Sequence, residues 1–293
     1  MISKQAAKKY LHRLGILLGI AGVLFVGQRL LAYRSEIDIG AIGGAGYVYI
    51  GLLSLLYGAA NVLLAAGWHE ILVHLGVERP MRWTLRTYAI SQLAKYVPGN
   101  IFHLVGRQAL GAAAGIGNGP LAKSSVLELV ISALCAGLFL PLLLPLVLAA
   151  VSPGESLVLF GMTAALSIAI TDRYLGRSLA RAATFFAADL AIAGAIFVAT
   201  YFVAGGDALA RELPAIAGAY VLAWLAGLVT PGAPAGLGVR ETVLLFLLAG
   251  LGAEATILLA VVLGRVITVL GDMLFYLAGQ FIRSPATMES SPR

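Results

Sequence analysis

Charge is what this sequence has least of. Only 12% of the 293 residues are Asp, Glu, Lys or Arg, against roughly 25% in an ordinary soluble domain. With 60% hydrophobic residues and a mean hydropathy of +0.94, a soluble globular fold is excluded, and lipid is the natural solvent for most of the chain. Cysteine is also scarce. The single Cys135 excludes an intramolecular disulfide and a thiolate metal cage, and its apolar surroundings point to a packing role. The ten-residue polar–apolar alternation of a transmembrane barrel is missing, so the apolar runs read as helices that satisfy their own backbone. No basic tract interleaved with aromatics is present, so the net charge of +6 reports topology and contact with anionic headgroups, not nucleic acid.

Uncharged runs cover 14–28, 39–68, 129–154, 156–171, 190–206, 213–239 and 242–253. A last apolar segment, 255–282, is interrupted by Arg265 and Asp272. At roughly 20 residues per crossing, this length holds six to eight spans and leaves no room for a separate catalytic domain. The expected fold is an all-α polytopic bundle, with one transmembrane domain over 1–283 and a flexible tail over 284–293. Lys4, Lys8, Lys9 and Arg13 precede the first run in the manner of a signal peptide, but no small-x-small cleavage site follows, so an uncleaved first span is expected. Basic residues concentrate in the N-terminal tail, in 79–95, at Lys123, in the Arg173/Arg177/Arg181 loop and in the C-terminal tail. Placing these inside gives a multi-pass plasma (inner) membrane protein with both termini cytoplasmic.

Two segments do not fit simple crossings. In 83–117 a moderately polar helix meets Tyr96-Val97-Pro98-Gly99-Asn100 and then a short apolar run through Arg107. In 213–251 a helix meets Pro231-Gly232-Ala233-Pro234-Ala235-Gly236-Leu237-Gly238-Val239-Arg240-Glu241. Pro and Gly at membrane depth require broken helices, which are tolerated only where protein or a wet cavity satisfies the freed backbone. Both segments are therefore candidate re-entrant hairpins. Arg107 follows Pro98, and Arg240 follows Pro231, by the same spacing; paired interruptions of this kind in two halves of a chain mark binding sites in transporters with inverted repeats.

Arg107, Arg240 and Arg265, with Glu128, Asp189, Glu241 and Asp272, fall in segments assigned to the membrane. A charge there costs a few kcal/mol unless paired or wetted, so each is a functional candidate as well as a structural one. Arg265 and Asp272 lie about two helical turns apart and share a face expected to point into the bundle. Short helices starting after Gly99 and Gly238 would aim N–H groups and positive dipole ends at the breaks, and with arginine these favour phosphate. Lys95, Tyr96, Asn100 and His103 add hydrogen-bonding groups, and Trp68, Trp83 and Trp224 read as interface or packing residues. His69 and His74 miss the i,i+4 spacing of a zincin helix, so no metal is expected, and no cofactor motif is present.

At the two breaks the sequence resembles the lysylphosphatidylglycerol synthase transmembrane (flippase) region family. The residues that carry the resemblance are Lys95-Tyr96-Val97-Pro98-Gly99-Asn100 ending at Arg107, Glu128 at the head of the next span, and the stretch from Pro231 through Glu241, the more specific motif. The resemblance implies a polytopic lipid-handling protein that translocates phospholipids or other lipid-linked molecules. The family often has Gly-Glu ahead of the first arginine, where this chain has Phe102-His103-Leu104-Val105-Gly106. The synthase's soluble aminoacyl-transfer domain is absent, which leaves the transport half.

The expected function is a flippase or scramblase-like lipid transporter rather than an enzyme. Its cargo would be a phospholipid or a polyprenyl-phosphate-linked lipid with an anionic headgroup. The expected headgroup site comprises Lys95, Tyr96, Pro98, Gly99, Asn100, His103, Arg107, Glu128, Pro231, Gly232, Gly236, Gly238, Arg240, Glu241, Arg265 and Asp272. The rival readings are a membrane glycosyl- or headgroup-transferase, which the lack of Asp-x-Asp or clustered histidines disfavours, and a non-catalytic partner subunit of a lipid-modifying enzyme. Homo-oligomers are compatible with either.

Overall fold

The computed structural model describes residues 43–96, 102–148, 150–230 and 233–282. The expected first span over 14–28, the tail over 284–293 and five expected site residues, Pro98, Gly99, Asn100, Pro231 and Gly232, lie outside them. Among the described residues there are helices and turns and no strand.

Helix α1 (Gly43–His74) has 32 residues, which is about 48 Å at 1.5 Å per residue, longer than a bilayer's hydrocarbon core of about 30 Å. It stops where Gly76 takes φ +73°. There the Gly76 N–H donates to Val73 O and the Val77 N–H to Leu72 O, closing the helix with a left-handed glycine cap. Helix α2 (Met81–Gln92) is the polar helix of the first expected hairpin and passes into a 3₁₀ turn, Leu93–Tyr96. After the break, α3 (Phe102–Ala113) packs back against α2.

Helix α4 (Asn118–Gly137) begins eleven residues earlier than the uncharged run suggested, so Glu128 lies near the middle of a helix and not at the head of a span. The same run was expected to continue to residue 154. Pro141 and Pro145 instead turn it through a 3₁₀ segment, Leu140–Leu143, and a single turn, α5 (Leu144–Val147), because proline removes the backbone donor a continuing helix needs. Helix α6 (Pro153–Leu175) opens with a capping box: the Glu155 N–H donates to Ser152 Oγ and the Ser152 N–H to Glu155 Oε2. Then come α7 (Arg177–Val203), α8 (Leu213–Val229), the second break, α9 (Val239–Leu247) and α10 (Glu254–Phe281).

Among the described residues, five helical segments are long and apolar enough to cross a membrane: Gly43–His74, Asn118–Val147, Pro153–Leu175, Arg177–Val203 and Glu254–Phe281. This is a multi-pass membrane protein. Helix α1 lies along α7 and α10, and α7 packs on α8. The α1–α10 crossing is close: a Cβ built on Gly58 would stand 2.8 Å from Gly271 O, and one on Gly271 2.8 Å from Ser54 O. Without side chains between them the two backbones meet, the packing mode that small residues permit between helices in lipid. A central apolar cluster ties α4, α7, α8, α9 and α10 together through Ala136, Phe186, Phe197, Tyr220, Leu244 and Ile257, and Cys135 is buried within it as expected. Outward faces carry exposed large apolar side chains such as Leu134, Met162, Leu166 and Phe281, the reverse of a soluble surface.

Candidate functional site

The two helix–break–helix hairpins, α2–α3 and α8–α9, meet at their breaks: the Leu93–Tyr96 turn touches the Pro234–Gly236 turn. The second break depends on unusual backbone. Ala235 has φ +48°, Gly236 φ +70° and Gly238 φ +81°, and Gly236 lies so close to Gly227 of α8 that a Cβ on it would stand 2.8 Å from the Gly227 Cα. Only glycine at Gly236 meets both demands.

Between the breaks lies a cavity of about 120 Å³, room for several waters or one small polar group. Of the expected site residues, Lys95, Tyr96, His103, Glu128, Gly236, Arg240 and Arg265 line it. Arg107, Gly238, Glu241 and Asp272 stand behind the lining. Tyr57, Tyr88, Gln92, Asp189 and Trp224 also line it and were not among the expected site residues; Trp224, read from sequence as interface or packing, faces this polar space.

The charges resolve into three pairs and two singles. In the first pair, Arg107 Nη1 donates to both oxygens of Glu128, at 2.8 and 2.7 Å, and both residues are buried. Its guanidinium stacks 4.2 Å over the Tyr88 ring and 5.4 Å from that of Trp68, while Tyr88 Oη donates to Glu128 Oε1 at 2.9 Å. Glu128 thus supplies the acid that the first hairpin itself lacks, across from α4.

The second pair is Lys95 and Asp272, 2.8 Å apart. Asp272 is fully buried, and each of its oxygens is satisfied: Oδ1 accepts from Asn61 and Gln92, and Oδ2 accepts from Tyr96 and Lys95. One carboxylate therefore ties α1, α2, the first break and α10 together. The third pair is Arg265 with Glu241, and Arg265 Nη1 also donates to Ala235 O at 3.0 Å. Arg265 and Asp272 share the inward side of α10 as expected, but each is neutralised by a different hairpin. Glu241 also accepts from the Gly238 N–H at 2.7 Å. The start of α9, expected to present free N–H groups to a phosphate, is therefore capped by its own acid.

Arg240 and Asp189 are the singles. Arg240 is buried, stacks with its guanidinium 4.3 Å over the Tyr220 ring, and has no acid within ion-pair distance among the described residues. Asp189, on α7, makes no hydrogen bond or ion pair with any described residue. Three buried nitrogens at the site lack hydrogen-bond partners among the described residues: Arg107 Nη2, Arg265 Nη2 and His103 Nδ1. His103, which a packing role would have satisfied, is thus left with an unused ring nitrogen at the cavity. Among the described residues no cluster of His, Cys, Asp or Glu could hold a metal ion.

Comparison with protein-family models and with curated proteins returned no match.

Proposed function

We propose that this protein is a lipid transporter that holds the anionic phosphate of a headgroup in the cavity between the two breaks while the acyl or polyprenyl tails stay in the bilayer. The observation that carries this reading is Arg240. A guanidinium buried in a membrane protein costs several kcal/mol unless an anion or water compensates it, and no acid among the described residues stands within ion-pair distance of Arg240: Asp272, Glu128 and Glu241 are each held by another cation. The spare N–H of Arg265 and the exposed edge of Lys95 face the same space, and a planar guanidinium suits a phosphodiester's paired oxygens. The two hairpins, each too short to cross as a straight helix after its break, read as re-entrant segments of inverted repeats whose junction is the site. Arg107 supports the first hairpin through Glu128 and does not contact the headgroup. Positive-inside placement keeps both termini cytoplasmic in the plasma (inner) membrane.

The test is headgroup-resolved translocation in proteoliposomes containing only the purified protein, with labelled glycerophospholipids and a polyprenyl-phosphate sugar. Wild-type protein is expected to move at least one of them, Arg240→Ala to lose at least tenfold in rate, and Arg240→Lys to fall between, because lysine keeps the charge and loses the fork. Folded wild-type protein that moves neither lipid, or an Arg240→Ala variant as fast as wild type, overturns the proposal.

A further inference from the structure

Asp189 is the one cavity acid that the charge pairs leave over, and the ledger of charges around it is balanced. Lys95, Arg107, Arg240 and Arg265 stand against Glu128, Asp189, Glu241 and Asp272, four of each sign. Three cations are committed to three acids by direct contact. Arg240 and Asp189 are left, lining one cavity from different helices.

A phosphodiester that enters this space to meet Arg240 adds one negative charge to a neutral cluster. Repulsion between a bound anion and an ionised carboxylate lining the same cavity is strong, and Asp189, half-buried there, relieves it by taking up a proton when the anion arrives. Among the groups that line the cavity with Asp189, every cation but Arg240 is already paired, and the other proton acceptor left without a partner is His103. From α1, Tyr57 lines the cavity with it, while Glu70 farther along that helix is held by Arg181. Tyr88 and Gln92 of α2, Lys95 and Tyr96 of the first break, and His103 of α3 line the same space. Lys95 is engaged by Asp272. From α4 comes Glu128, held by Arg107. From α8 come Trp224 and, behind Arg240, Tyr220. Arg265 of α10 is held by Glu241, and Asp172 of α6 lies in a separate surface hollow with Arg177 and Arg181.

We infer that Asp189 is a proton-binding site coupled to the headgroup site, so that each phosphodiester headgroup binds together with one proton. This rests on the proposed phosphate site and adds to it the co-ligand. By linkage, proton and lipid strengthen each other's binding by the same factor. The sign follows: lipid affinity is highest at low pH and falls as pH rises through the titration of Asp189. In a transporter the same coupling lets a proton gradient drive lipid movement.

The test uses full-length protein in detergent and dihexanoyl phosphatidylglycerol, whose single phosphodiester keeps its charge between pH 5 and 9, so any pH dependence belongs to the protein. Isothermal titration calorimetry in two buffers of different ionisation enthalpy counts protons taken up per lipid bound. Wild type is expected to take up close to one proton at the upper end of the range, with affinity falling by up to about tenfold per pH unit. Asp189→Asn, which is isosteric and permanently neutral, is expected to bind with no uptake and no pH dependence, and Asp189→Glu to keep both. Binding by wild type without proton uptake, or uptake that persists in Asp189→Asn, overturns this inference and leaves the phosphate site standing. No binding of the lipid by folded wild type overturns both. If Asp189 instead holds a headgroup amine, Asp189→Asn weakens dihexanoyl phosphatidylethanolamine and leaves phosphatidylglycerol unchanged and free of proton uptake, which also contradicts the inference.

Discussion

At the scale of single residues, the membrane charges divide by whether a partner is already in place. Removing one member of a buried ion pair leaves the other uncompensated, at a cost of about 3–5 kcal/mol. Arg107→Ala is therefore expected to lower stability by that amount, and Arg107→Met combined with Glu128→Leu to recover most of it, because two apolar groups need no compensation. Thermal unfolding in detergent separates the cases; a double variant as unstable as the single one would show that the pair is not the cause. Arg240→Ala breaks no direct ion pair among the described residues and removes a contact with Tyr220 worth about 2 kcal/mol. It is thus expected to stay folded, which makes it the cleaner functional probe. The sequence showed Arg107, Arg240, Arg265 and Glu128 as costly membrane residues from their positions alone. It did not show the pairing: Lys95, read from sequence as a hydrogen-bonding group beside the break, meets Asp272, and Arg265 meets Glu241, across different helices. Asp189 carried no motif; its meaning comes from what the other acids are bound to.

At the scale of elements, the breaks and the glycine contacts position the site. Gly271 precedes the Asp272 hub and meets α1 backbone to backbone. Gly271→Ala is expected to destabilise by about 1–3 kcal/mol through overpacking and to loosen the first break with it. Gly161→Ala in α6, where a Cβ would meet nothing within 4 Å, is expected to be neutral or stabilising by about 0.5–1 kcal/mol. Equal unfolding temperatures for the two variants would contradict the crossing. Pro and Gly clusters announced both interruptions in the sequence, since few residues end helices so reliably. Helix limits were less legible. Helix α8 is apolar on every face, so no periodicity marks which side faces lipid. The start of α4 was hidden because Lys123 and Glu128 made its first half look like a loop; a paired acid in a helix interior reads as a boundary until its partner is known.

At the scale of the whole molecule, two hairpins enter the bundle and place their breaks in contact, framed by α1, α4, α7 and α10. The apolar exterior and the small charged interior suit the proposed lipid carrier, which would keep tails outside and the headgroup inside. All-α architecture and membrane residence followed directly from composition, because lipid leaves the backbone few choices. The cavity did not, because it depends on two segments more than a hundred residues apart touching at their turns. Where a lipid phosphate binds is therefore the most direct question. A structure of the protein in a lipid nanodisc, with an anionic phospholipid at saturating concentration, measures it. The expected result is a phosphate between the two breaks, within hydrogen-bond reach of the Arg240 guanidinium and on the same side as Asp189. A cavity without lipid, with headgroups only at the outer rim and Arg240 still stacked on Tyr220, would contradict a headgroup site at the junction of the hairpins.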